Sequence, residues 1–150
     1  MHGPLGKASA LLAAVGLALT ACSSGSSSGG PTSVNATEKE WEITLADTTL
    51  PAGEITFNIT NDGDKTHEFV IRKTDTAADS LPLNDAGEVD EDGAGEEVGN
   101  PSEVEDVEAG SSNKSLTVNL EPGHYVIFCN IHDEDLLHYQ KGMHIDFTVE

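Results

Sequence analysis

The chain has 150 residues, room for about one domain, and its 37% hydrophobic and 23% charged residues are ordinary for a folded protein. Acidic residues outnumber basic ones 27 to 7, for a formal charge of −20, which tells against gripping nucleic acid or anionic lipid headgroups, since both need clustered Lys and Arg. Two cysteines are too few for a disulfide scaffold or a four-cysteine zinc site.

Residues 1–21 read as a secretion signal. Lys7 precedes a short apolar run over residues 10–19, too short to span a bilayer but suited to a signal core. Leu19-Thr20-Ala21-Cys22 resembles a bacterial lipobox, which implies cleavage before Cys22, lipidation of its sulfur, and anchoring at the extracytoplasmic face of the cell membrane. Residues 22–37 are then expected as a lipidated cysteine and a flexible Ser/Gly-rich tether, with the folded domain over 38–150. Loss of Lys7 with the signal would take the charge from −20 to −21. With Cys22 consumed by lipid, Cys129 has no disulfide partner, and a lone thiol in an oxidising compartment invites damage unless something occupies it.

The body reads as short strands. Apolar and polar residues alternate over Trp41–Leu45, Ile55–Ile59, Phe69–Ile71 (in a phase beginning at His67), Leu116–Leu120 and Ile145–Val149. Tyr125–Ile131 is apolar on both faces, as a central strand can be. Turn signals at Pro51-Ala52-Gly53, Asn61-Asp62-Gly63 and Glu121-Pro122-Gly123 separate them, and no stretch makes a convincing amphipathic helix. The expectation is a small all-β antiparallel sandwich or barrel. Residues 74–114 interrupt it, carrying 13 of the 27 acidic residues, and read as an insertion or mobile lobe. Glu88-Val89-Asp90-Glu91-Asp92-Gly93 only loosely echoes an EF-hand start, so a solvated acidic loop is the expectation there.

The chemistry concentrates between Cys129 and Met143. That segment holds a cysteine, a methionine, and the histidines His132 and His138, while His67 stands upstream behind Asn61-Asp62-Gly63. Thiolate, imidazole and thioether together suit copper cycling between Cu(I) and Cu(II), and a thioether is a poor zinc ligand. Strand phase turns His67, Cys129 and Met143 toward the core, while His144 and His124 read as solvent-facing.

Asn61-Asp62-Gly63 leading to His67-Glu68-Phe69, then Pro122-Gly123-His124-Tyr125 running into Phe128-Cys129, then His138-Tyr139-Gln140-Lys141-Gly142-Met143, resemble the cupredoxins, the small blue-copper proteins. The resemblance covers about residues 38–150, apart from the acidic insertion. It implies a Greek-key β-sandwich and one type 1 copper ion held by His67, Cys129, His138 and Met143. His132, in a Cys-X2-His spacing, is a competing ligand; the gap from His138 to Met143 matches the family's usual spacing. Glu68 stands where many members carry Asn. The resemblance further implies a one-electron carrier rather than an enzyme, with the ring edge of His138 as its electron port; a copper chaperone or storage protein is the alternative. The acidic surface predicts a redox partner with a basic docking face, such as a c-type cytochrome or a terminal oxidase domain.

Overall fold

The structure, a computed structural model, describes Gly3 and residues 31–150. The expected signal peptide, the Cys22 lipidation site and residues 22–30 of the tether lie outside the described residues.

Among the described residues ten strands build two facing sheets and two more make a small hairpin. They are β1 (Thr32–Lys39), β2 (Glu42–Leu45), β3 (Thr49–Leu50), β4 (Gly53–Asn61), β5 (His67–Lys73), β6 (Glu96–Glu97), β7 (Glu103–Val107), β8 (Lys114–Leu120), β9 (Gly123–Phe128), β10 (His132–Asp133), β11 (Leu136–Leu137) and β12 (His144–Val149). One sheet runs β2-β1-β4-β8 and the other β3-β12-β9-β5-β6, with β7 also on β5; β10 and β11 form a separate hairpin. The sandwich is not wholly antiparallel, because β1 runs parallel to β4 and β3 parallel to β12. Every segment read as a strand contains one, although Trp41 falls in a turn before β2 and residues 129–131 lie beyond the end of β9. Period-two burial explains why: Ile55, Phe57 and Ile59 of β4 face Phe69, Ile71, Ile127 and Phe147 across one core. Phe57 anchors it, its ring 5.7 Å from Phe69 and 5.8 Å from Phe147. Burying each such ring contributes about 2–3 kcal/mol.

The domain begins earlier than expected. Thr32–Lys39 is a strand rather than the end of a tether, with Val34 and Ala36 buried and Asn35 and Lys39 exposed. Its small side chains give weak local signal; its register against β4, Val34 opposite Phe57 and Ala36 opposite Ile59, is a long-range contact.

Residues 74–114 are a packed insertion rather than a mobile lobe, and residues 88–93 within them are not merely a solvated acidic loop. They pack Ala78, Leu81, Val89 and Ala94 onto Val70, Val126 and Phe128, on the outer face of the second sheet. This second small core explains why β9 is buried on both faces. Arg72, only 2% exposed, pins the segment: its guanidinium lies 2.7 Å from Glu91, 3.6 Å from Glu103 and 4.0 Å from Glu97, and donates to Ser102 Oγ. Two single-turn helices, α1 (Glu91–Ala94) and α2 (His138–Lys141), occur among the described residues. Neither is long enough for an amphipathic pattern to be visible in sequence.

Candidate metal centre

Three of the expected ligands meet at one end of the sandwich, and the fourth is buried in the same core. His67 opens β5, Cys129 follows β9, His138 opens α2 and Met143 precedes β12. Local chemistry places each. Asn61, buried, donates through its side chain to the carbonyls of Lys65 and Val107 and accepts from Gly63 N–H, which fixes the loop feeding His67. Cys129 N–H donates to Met143 O at 3.0 Å, carrying the β9–β12 pairing one step further. Gly142, at φ +117°, closes α2 in a left-handed cap, and Met143 N–H returns to His138 O.

The packed segment 74–114 braces this ligand loop from outside. Tyr139 hydroxyl donates to Ala78 O at 2.7 Å and accepts from Leu81 N–H at 3.0 Å. The Asn130 side chain accepts from Val89 N–H and donates to Val89 O and to Glu91.

His67, Cys129 and His138 each offer a donor atom, and these atoms all lie within 4.8 Å of one another. His67 Nδ1 stands 3.3 Å from His138 Nδ1, and Cys129 Sγ stands 3.4 Å from His138 Nδ1. Two imidazole nitrogens sharing one ion at about 2.0–2.1 Å with a tetrahedral angle would stand about 3.3 Å apart, so the spacing fits an ion. All three residues, and Met143, are fully buried.

The electrostatics also fit a cation. Burial pushes the Cys129 thiol up to about 12, so a thiolate there needs a positive partner, although N–H groups including Glu68 N–H (3.2 Å) aim at the sulfur. Burial, then the neighbouring His67, holds His138 down at about 4, and burial lowers His67. Both imidazoles are therefore neutral at pH 7 and present free lone pairs.

His132 does not join the cluster. It sits on the β10–β11 hairpin, exposed, with Nδ1 3.3 Å from Glu88. His144 and His124 are half-buried rather than solvent-facing: the first packs on Tyr139, and the second bonds Thr74 O and Asp146.

The expectation of an exposed His138 edge is corrected. Trp41 rests edge-on against His138, ring centroids 4.9 Å apart, and seals it. Beside it, Glu40 accepts from Lys65 N–H at 2.6 Å and Asp64 N–H at 3.1 Å, and its Oε1 lies 3.4 Å from His67 Nε2. Partial burial opposes ionisation of Glu40, but backbone N–H donors and the His67 ring hold its carboxyl below the usual range. Glu40 and Trp41 form the two-residue turn between β1 and β2. Sequence reading missed both functions, because Trp41 shares phase with Ile43 and reads as an ordinary strand residue.

Residues 11–138 match the cupredoxin-like domain family, and the match ends short of Met143. The chain belongs to the cupredoxin-like family. No curated protein sequence matches it. Among solved structures, a dithionite-reduced auracyanin from the photosynthetic bacterium Roseiflexus castenholzii aligns at 19% identity and TM-score 0.53, over 81% of this chain and 99% of that one. A reduced rusticyanin aligns at 18% identity and TM-score 0.56, over 81% of each chain. Rusticyanin from Thiobacillus ferrooxidans aligns at 16% identity and TM-score 0.52, over 81% of this chain and 79% of that one. At these identities the likeness establishes the β-sandwich. Family and donor set together fit a single type 1 copper ion: His67, Cys129 and His138 cluster, with Met143 buried beside them.

Proposed function

We propose that this cupredoxin is a lipid-anchored one-electron carrier whose copper is held by His67, Cys129, His138 and Met143. The observation that carries the reading is the convergence of two imidazole Nδ1 atoms and a thiol sulfur within 4.8 Å in a fully buried pocket. Copper supplies the chemistry by cycling between two oxidation states one electron apart.

The chain's own residues do the rest. β5, β9 and β12 fix three ligand positions on one hydrogen-bonded sheet, so the ligands need not move when the charge changes. Full burial keeps water off the donors, and Glu68 N–H stabilises negative charge on the sulfur. The same burial favours retention of the metal over handing it on, which sets the carrier above a chaperone.

The formal charge of −20 supports a partner with a basic docking face, such as a c-type cytochrome or a terminal oxidase domain. The Leu19-Thr20-Ala21-Cys22 sequence supports attachment through Cys22 at the extracytoplasmic membrane face.

Copper titration of the full chain tests the centre. Intense visible absorption at one copper per chain, lost in Cys129→Ser, together with a reversible one-electron wave, is expected. A colourless copper complex would overturn the reading.

A further inference from the structure

All four proposed ligands are fully buried, so no partner can touch the copper site directly. An electron must cross whatever covers it. Over His138 that cover is Trp41, half-buried, its indole meeting the imidazole edge-on with centroids 4.9 Å apart. We propose that Trp41, seated on the buried His138, is the electron port of this protein and the centre of its docking surface. The inference rests on the carrier function proposed above.

Three observations support it. First, the indole is held in place rather than hung in solvent. Glu40 ties the turn to the backbone of Asp64 and Lys65, and a Cβ at Gly142 would lie 3.2 Å from the Trp41 carbonyl, so the turn abuts the ligand loop directly. A rigid contact keeps the distance from His138 to the surface constant.

Second, the two lysines that border this turn, Lys39 and Lys65, are already paired. Lys39 and Glu42, which flank it, lie 3.2 Å apart with both side chains more than half exposed, and Lys65 bonds Asp133 at 2.6 Å. An aromatic centre bordered by cations already paired, with the Glu40 carboxylate beside it, does not repel a basic partner at contact.

Third, most of the surplus negative charge lies elsewhere, with 13 acidic residues against one lysine in the 74–114 segment. The whole chain therefore attracts a basic partner at long range, while the turn accepts it at contact. The partner so described is a net-basic one-electron protein that presents an apolar cofactor edge. The electron passes between the copper and that cofactor; the indole bridges the gap and is neither oxidised nor reduced.

The test compares the full copper-loaded chain with W41F and W41L. Visible absorption and potential report whether the centre is intact, and electron exchange with a basic c-type cytochrome reports the port. W41F is expected to hold near the wild-type rate, and W41L to fall by about tenfold with absorption and potential unchanged. A second measurement needs no mutation. This is the chain's single tryptophan. In the zinc-loaded, redox-silent chain its indole N–H resonance should shift on adding the cytochrome.

An indole signal that stays still while another face responds, or a W41L centre of normal spectrum exchanging electrons at the wild-type rate, overturns the port. A wild-type chain that takes copper but gives no one-electron wave overturns the carrier function and the port together.

Discussion

His67 Nε2 lies 3.4 Å from the Glu40 carboxylate, and the nitrogen is otherwise buried without a hydrogen-bond partner. The carboxylate is itself fixed by the N–H groups of Asp64 and Lys65, so the ring is oriented with Nδ1 toward Cys129 and His138. A carboxylate behind a ligating imidazole sets its tautomer and raises its basicity. Glu40→Gln should therefore weaken copper affinity by roughly 10-fold or more and raise the potential. Competition titration and voltammetry measure the two.

Gly63 makes that arrangement possible. A Cβ there would come within 2.5 Å of Glu40 Oε2, the far end of a side chain that can swing away. Gly63→Ala should displace Glu40 and reproduce part of the Glu40→Gln loss of copper affinity. Stability should change by only about 1 kcal/mol, because little backbone must move. Urea unfolding beside the copper titration separates the effects.

Arg72 holds the 74–114 segment to the sheet through Glu91, Glu103 and Ser102. Removing the buried guanidinium leaves a hole in the packing and carboxylates that repel one another, although these reach solvent. Arg72→Ala should cost about 2–3 kcal/mol in chemical denaturation. It should also open residues 74–107 to protease before the rest of the domain.

Glu38 is fully buried in β1 with neither carboxylate oxygen hydrogen-bonded. Burial, then the charge of Glu68, pushes its carboxyl up to about 8. The folded state therefore holds a proton that the unfolded chain releases near the ordinary value of 4.5, and its contribution to stability declines as pH rises from there toward 8. His138, held down, acts with the opposite sign between about 4 and 6.5. Glu68, pushed up by burial to about 7, acts with the same sign as Glu38 up to there, so the window from 7 to 8 isolates Glu38. Metal-free wild-type protein should lose about 1 kcal/mol relative to Glu38→Gln across that window, measured by urea unfolding at each pH.

Steering by a charge of −20 is screened by salt. Association with a basic cytochrome should slow steeply as ionic strength rises, while the unimolecular step inside the complex stays flat. Stopped-flow kinetics across a salt series resolves the two.

Alternation along β4, β5, β8, β9 and β12 made the sandwich legible without coordinates, because a strand's inward and outward faces are written in neighbouring residues. The donor types and the inward phase of His67, Cys129 and Met143 were legible for the same reason. The strand Thr32–Lys39 was not, since its inward residues are Val34, Ala36 and the charged Glu38, and its parallel pairing with β4 is a distant contact. The acidity of residues 74–114 likewise hid Ala78, Leu81, Val89 and Ala94, which bury a sheet face that the core strands alone leave open.

Residue types and spacing by themselves determined a β-sandwich with soft-metal donors at one end. Tertiary structure alone decided that His132 stays out of the cluster, that Glu40 backs His67, and that Trp41 rather than His138 meets the solvent. Ligand identity is local chemistry, whereas the cover over a ligand comes from a turn more than twenty residues away in the chain, placed there by strand pairing.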